Sequence, residues 1–385
     1  DRARLSSVLI DARPADTQNA PGFDGRSYAL ALSSVRMLKA TGLWLALAAE
    51  AQPMLEIKVS DGRAGTGPSP FMAEFHHGEI EEGPMGHMIE DRHLRRVLQQ
   101  ALDGARRVTR LSGQTLEKQV PGTAEIELTL SGGQTLSAPV VVACDGRISG
   151  TAERAGIRHL RTDYGQTALV CAIAHDLPHN GIAHQFFMPE GPLAVLPLAG
   201  NRSSIVWTEA TDRAAAIQAL GDDDYLQVLR PRFGDFLGPI TLAGARWTYP
   251  LGLSLAERLV ADRIALAGDA AHAVHPIAGQ GLNAGLRDVA ALAEVLTLAK
   301  RRGEDIGQTD VLNRYERWRR ADVTTLALAT DAFNRLFSND DPVLRGLRNL
   351  GLGAVNALPE VRRSFIREAA GLSGDLPRLS MGQAI

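Results

Sequence analysis

The sequence predicts an α/β protein: short apolar strands ending at acidic turns, an inserted, mainly antiparallel sheet, and a helical C-terminal region. Three observations carry this reading. Val140-Val-Val-Ala-Cys-Asp-Gly146 and Ile264-Ala-Leu-Ala-Gly-Asp269 are continuous apolar runs, as expected of strands buried on both faces, each closed by an Asp and a Gly. Gln166 to Trp207 instead alternates strand-like segments with turns. From Gln308 onward apolar residues recur at helical spacing. The expected domains are 1–53, 86–160 and 256–305 together, 54–85 with 161–255, and 306–385.

A chain of 385 residues with net charge -3 is long enough for two cores. Acidic and basic residues are interspersed, so no basic stripe stands ready for a phosphate backbone, and nucleic acid is excluded as a partner. Cys144 and Cys171 both sit in apolar runs, which predicts buried thiols in a reducing compartment, the cytoplasm. No signal-peptide pattern opens the chain, and no apolar run reaches the roughly 18 residues of a membrane span. Membrane contact, where present, is expected to be peripheral.

Leu5 to Ile10 reads as a strand ending in Asp11. In a dinucleotide-binding sheet an acid at such a tip accepts hydrogen bonds from ribose hydroxyls; taken alone it reads as a solvated residue ending an edge strand. Pro21-Gly-Phe-Asp-Gly-Arg-Ser-Tyr-Ala-Leu30 starts as a turn and continues into a helix over Ser27 to Leu43, stopped by Gly42. Arg26, between turn and helix, is placed to meet an anionic ligand or simply to face solvent. Leu55–Val59 and Phe71–Phe75 are strands flanking a Gly/Pro-rich loop. Ile89 to Leu102 is an amphipathic helix with Arg92 near its start, facing a ligand or solvent. Val108 to Leu130 reads as hairpins.

Gln166 to Trp207 and Gly244 to Pro250 form the second sheet, with Asp222 to Arg232 as a helix laid against it. Phe186, Phe187, Trp207, Trp247 and Tyr249 are wall or core candidates. Val311 to Asn334 is helical up to Asn339-Asp-Asp-Pro342, and Val343 to Ala370 carries two further amphipathic pieces. The leucines and arginines of Leu344 to Arg363 pack on the first domain or touch a membrane surface.

The stretch from Arg263 to Asp288 organises the rest. Gly268 lets a ligand approach the backbone, and the Asp269 carboxylate suits sugar-like hydroxyls. Pro276 stiffens the loop, and Gly279-Gln-Gly281 leads into a helix over Asn283 to Lys300, whose positive end points back at the cleft. That suits a ligand turning anionic at one edge, as a reduced flavin does. His272 and His275 are spaced for a metal but lack a third ligand, so none is expected. No nucleophile-elbow serine accompanies Asp269 and His275, which argues against a hydrolase.

Gly268-Asp-Ala-Ala-His272, His275-Pro276 and Gly279-Gln-Gly-Leu-Asn283 together resemble the second flavin fingerprint of the group A flavoprotein monooxygenases, with the para-hydroxybenzoate hydroxylase fold. Val142 to Gly146, followed by Arg147 and Ser149, is similar to that family's Asp-Gly fingerprint, which serves both flavin and reduced nicotinamide. Phe23 to Leu30, Gly42-Leu-Trp44, Phe337-Ser338 and Leu376 to Leu379 resemble the ubiquinone-biosynthesis hydroxylase branch.

The resemblance implies a Rossmann-like FAD-binding domain with the inserted sheet as substrate wall. It implies Asp11 on the adenosine ribose, Arg26 against flavin or pyrophosphate, and Arg92 near the ribityl chain. Asp145 and Gly146 would lie on the pyrophosphate side and Gly268 and Asp269 at the ribityl hydroxyls. Pro276, Gly279, Gln280, Gly281, Leu282 and Asn283 would hold the isoalloxazine. The implied reaction hydroxylates a phenolic, polyprenylated ring with NAD(P)H as co-substrate and O2, through a flavin C4a-hydroperoxide. No residue emerges as the phenol's base. Implied partners are that substrate, a membrane surface next to the inner membrane and a biosynthetic complex. The family pattern opens with a strand and a Gly-x-Gly-x-x-Gly loop that this sequence starts after; the expectation is that the natural protein extends upstream of Asp1. The competing reading is a non-catalytic scaffold of the same fold.

Overall fold

The computed structural model describes residues 3–14, 22–65, 67–276, 279–337 and 342–385. Asp1, Pro21, Ile277, Ala278, Ser338 and Asn339 to Asp341 lie outside the described residues. The chain opens with β1 (Ser7–Asp11), β2 (Ser27–Ala31), α1 (Leu32–Ala40), β3 (Gln52–Met54), β4 (Glu56–Arg63), β5 (Gly67–His76), β6 (Gly86–Glu90) and α2 (Asp91–Asp103). β7 (Val108–Ser112), β8 (Leu116–Pro121), β9 (Ile126–Leu130), β10 (Thr135–Ala138), β11 (Val141–Ala143) and α3 (Gly150–Arg154) follow. The middle holds β12 (His159–His175), β13 (Ile182–Met188), β14 (Gly191–Leu198), β15 (Arg202–Ala210), α4 (Thr211–Gln218), α5 (Asp222–Phe233), β16 (Ile240–Leu242) and β17 (Trp247–Ala256). It closes with β18 (Val260–Ala261), β19 (Ile264–Leu266), β20 (His272–Ala273), α6 (Gln280–Arg301), α7 (Thr309–Phe337), α8 (Pro342–Ala357) and α9 (Pro359–Ala369).

Tertiary pairing overrides local pattern at several points. Ser27–Ala31 is a strand rather than a helix start, because Tyr28 and Leu30 stand opposite Ile89 and His87 in an antiparallel ladder. The same ladder takes Ile89 and Glu90 from the expected second helix. Val108–Ser112 is no hairpin arm but pairs in parallel with β1. Only β8, β9 and β10 form the antiparallel meander.

β11 pairs in parallel with β19, in a sheet separate from β1 and β7. Among the described residues no strand joins the two parallel pairs, and Val8, Leu9 and Val142 are 45%, 42% and 41% exposed. β11 is therefore not buried on both faces, and Cys144 at its end is exposed, whereas Cys171 is buried as expected.

The large sheet runs β20-β17-β12-β15-β14-β13-β4-β5, with β16 beside β12. It is antiparallel except where β13 meets β4. α4 and α5 cover one face, enclosing Trp207, Phe186, Tyr225 and Phe233 in a core. Trp207 and Phe186 are thus core, while Phe187 stacks on Phe337 of α7 at 3.9 Å and Tyr249 is exposed.

A second core joins β9, β11 and β19 to α6 and α7. Buried Arg263 ties its loops together, donating to the carbonyls of Gly122, Pro139 and Thr123 and to Asp305. Gly307 sits so close to this clamp that a Cβ there would lie 1.9 Å from the Pro139 carbonyl oxygen and 2.4 Å from an Arg263 nitrogen. Gly307→Ala is expected to cost about 2 to 3 kcal/mol in chemical unfolding, as overpacking against backbone does; an unchanged midpoint would refute the clamp.

Candidate active site

β19 delivers the chain into the Gly268–Asp269 turn. Gly268 adopts φ +62 and lies against Gly285 of α6, where a Cβ on Gly285 would approach the Gly268 Cα to 3.2 Å. Two glycines therefore allow turn and helix to touch backbone to backbone. The Gly268 N–H donates to Asp288 of α6 at 3.0 Å. Asp288 is wholly buried and also receives His272 Nε2 at 2.6 Å and Arg319 Nε of α7 at 2.8 Å. Burial pushes its carboxyl upward, but the hydrogen bonds and charges of His272 and Arg319 outweigh burial and hold it below the usual carboxylate range. Asp269 itself is exposed, and no described residue holds its carboxylate.

The helix starts earlier than its periodicity suggests, at Gln280. Gly279 is its N-cap in the left-handed conformation and no side chain caps it. The Gly279 N–H turns back to the Pro276 carbonyl at 3.0 Å. The first N–H groups of a helix lack internal acceptors, so Gln280 to Leu282 present donors at the positive end of the helix dipole. A Cβ on Gly281 would meet nothing within 4 Å. Asn283 plays a different part: its amide accepts from Ala31 N at 2.8 Å and Ser34 Oγ at 2.7 Å and donates to the Ala29 and Gly279 carbonyls. Its side chain locks α6 to β2 and α1, and it serves a ligand by positioning the helix start.

The other candidates are engaged by neighbours of their own. Asp11, at the end of β1, accepts from Arg13 N at 2.9 Å. Arg26 forms a two-pronged pair with Asp24, approaches Asp91 at 3.4 Å and lies over the Trp247 ring. Arg92 donates to buried Glu90 at 2.7 Å and faces the Phe23 ring. Asp145 accepts from Ser149 and from Thr151 N, and Gly146 follows with φ +85. Asp145 therefore anchors the start of α3.

Two residues with a part in the site, Asp288 and Arg319, escaped the sequence reading; the signal for Asp288 was a charge inside the otherwise Ala- and Leu-rich α6. His275 was read only as a metal or hydrolase candidate and as part of the flavin fingerprint. It is 1% exposed, its ring packs on Tyr164 at 5.6 Å, and neither ring nitrogen has a partner. Burial lowers its pKa to about 4, so it is neutral near pH 7. Among the described residues no cluster of three or more His, Cys, Asp or Glu side chains could hold a metal, and no helix is long and apolar enough to cross a membrane.

The free Asp269 carboxylate, the open side of Gly281 and the uncapped start of a 22-residue helix suit a ligand with hydroxyls and an anionic ring edge. FAD has both, and the residues present fit it. Residues 2–330 match the FAD binding domain family. The chain is 43% identical over 381 residues to ubiquinone hydroxylase UbiL of Rhodospirillum rubrum, covering 98% of this chain and 87% of that protein. It is 33% identical over 370 residues to the 3-demethoxyubiquinol 3-hydroxylase of Escherichia coli, covering 95% and 92%. Among solved structures, p-nitrophenol 4-monooxygenase of Pseudomonas putida superposes with a TM-score of 0.77 over 96% of this chain and 98% of that one, at 19% identity, which speaks for the fold alone. The chain belongs to the FAD binding domain family, among the FAD-dependent aromatic hydroxylases that include the ubiquinone hydroxylases.

Proposed function

We propose that this protein hydroxylates the phenolic ring of a polyprenylated ubiquinone precursor, with FAD as cofactor and NAD(P)H and O2 as co-substrates. One observation carries the reading: the Gly268–Asp269 turn and the start of α6 are held side by side through Asp288, with Asn283 tying that start to β2, in a chain matched almost end to end by ubiquinone hydroxylases. Bound FAD supplies the electron transfer and oxygen activation that no side chain provides. The protein's own part is positional. Asp269 accepts bonds from ribityl hydroxyls, the start of α6 favours a ring edge that gains negative charge, and Asn283 and Asp288 hold those elements in register. The large sheet walls the other side and excludes water from the reacting ring. Asp11 and Asp145 are proposed to frame the adenosine and phosphate side, Arg26 to lie against flavin or pyrophosphate, and Arg92 to sit near the ribityl chain.

The prenyl tail gives a reason for peripheral membrane contact. Leu328 is 65% exposed, and Phe333, Leu336, Leu358 and Phe365 are also exposed on α7, α9 and the loop before α9. Flotation with anionic vesicles tests that contact, and failure to float would remove it.

The test of the function is phenol-dependent NAD(P)H oxidation with a prenylated phenol, by the full-length protein loaded with FAD. Hydroxylated product is expected from the wild type. Asp269→Asn should weaken FAD about ten- to hundredfold, the loss of a charged hydrogen-bond acceptor, read by flavin fluorescence titration. A folded protein that takes up no flavin and ignores the phenol would instead be the scaffold.

A further inference from the structure

A cavity of about 280 Å³ lies where the start of β19 meets the end of α3 and the edge strand β8. Pro121, Ala155, Ala261 and Ile264 give it an apolar lining, and Arg154 and Arg258 supply its positive charge. The Arg154 guanidinium reaches only neutral groups, Gln119 Oε1 at 3.4 Å and Thr151 Oγ1 at 3.5 Å. Arg258 donates to the Ala155 carbonyl at 3.2 Å. A Cβ on Gly150 would come within 3.0 Å of an Arg154 nitrogen, so the glycine leaves room for that guanidinium to lie along α3. Acids are close at hand: Glu153 beside Arg154, Glu257 beside Arg258, and Asp262 on the cavity wall. Yet Glu257 turns to Arg158 at 3.1 Å, and among the described residues neither Arg154 nor Arg258 has a carboxylate partner.

Two cations without counter-charges beside an apolar lining suit one kind of ligand. A carboxylate takes two parallel N–H···O bonds from a guanidinium, and an apolar body fills the rest of the space. We propose that this cavity binds a small organic anion, a carboxylate on an apolar body about the size of benzoate, at a place apart from the flavin cradle. Inorganic phosphate would satisfy the arginines but leave the apolar lining bare. Asp262 opposes any anion held there and limits its affinity. The site lies at the opposite end of β19 from the flavin turn: Ile264 begins the strand and Gly268 follows its end, about 13 Å further along an extended chain. The helix α3 likewise runs from the loop anchored by Asp145 to Arg154 and Ala155. One strand and one helix therefore separate the anion from the cofactor. Binding alone is involved, and no bond is made or broken.

Calorimetric titration of benzoate into the full-length, FAD-loaded protein tests the site. Saturable binding with a Kd of about 1 mM is expected, as charge-assisted bonds and a small apolar body supply. Arg154→Gln and Arg258→Gln should each weaken it about tenfold, the loss of one charged donor. Asp262→Asn should instead tighten it about threefold by removing a like charge. Benzyl alcohol keeps the apolar body without the charge and inorganic phosphate the charge without the body, so each should bind about tenfold more weakly than benzoate. Both arginines are exposed, and their variants should keep the wild-type unfolding midpoint, flavin spectrum and phenol-dependent NAD(P)H oxidation. Absence of saturable heat up to about 20 mM benzoate overturns the site. Binding that both arginine variants retain and that shifts the flavin absorbance also overturns it, by placing the anion at the flavin. Phosphate binding as tightly as benzoate overturns the organic ligand. Each of these failures leaves the proposed hydroxylation standing.

Discussion

Asp288→Asn is expected to destabilise the protein by about 3 to 5 kcal/mol, the range for breaking a buried charge pair by removing one partner. Arg319 and His272 would stay buried beside a neutral amide, and the Gly268 N–H would face an altered acceptor. The turn that carries Asp269 should loosen with it, so flavin release is expected below the unfolding midpoint. Asp322→Asn is the control. Asp322 also receives Arg319, at 2.6 Å, but is partly exposed, and solvent screening should limit its effect to about 1 kcal/mol. Urea unfolding followed in parallel with flavin fluorescence checks both; equal effects at the two positions would mean that Asp288 is no keystone.

Acidification should produce the other large effect. His87, His184 and His275 are each lowered to about 4, first by burial, with Lys39 adding to the effect at His87 and Lys58 at His184. An unfolded histidine titrates near 6.5, so the unfolded chain takes up protons that the folded chain refuses. The sign follows: these histidines leave stability intact above about pH 6.5 and subtract from it as pH falls from there toward 4. At pH 5 the loss is on the order of 2 kcal/mol for each, roughly 6 kcal/mol together. Asp288, held low instead, keeps its contribution until pH falls below the ordinary carboxylate range. Urea midpoints at pH 7.5, 6.5, 5.5 and 5 should therefore decline steadily before any carboxylate protonates. A plateau down to pH 5 would contradict it, and His184→Gln should flatten part of the slope.

Much of the fold was legible because its signals are local. The Gly-Asp and Asp-Gly turns ending β19 and β11, the amphipathic α7 and the alternating strands of the large sheet can each be read within about a dozen residues. The errors came where a distant partner intervened. Ser27–Ala31 looks helical until β6 pairs with it, and Val108–Ser112 looks like a hairpin arm until β1 lies beside it.

The sequence alone determined which groups this stretch offers: a glycine, a carboxylate and a helix start, in fixed order from Gly268 to Asn283. Only the tertiary structure decided which of the similar residues are free to act. Asp145 and Asp288 are engaged and Asp269 is not; Asn283 is engaged with residues about 250 positions away, and His275 keeps two bare nitrogens. The reason is physical: a residue type states what a side chain can bond to, but whether the bond is made depends on which distant segments the fold brings within about 3 Å.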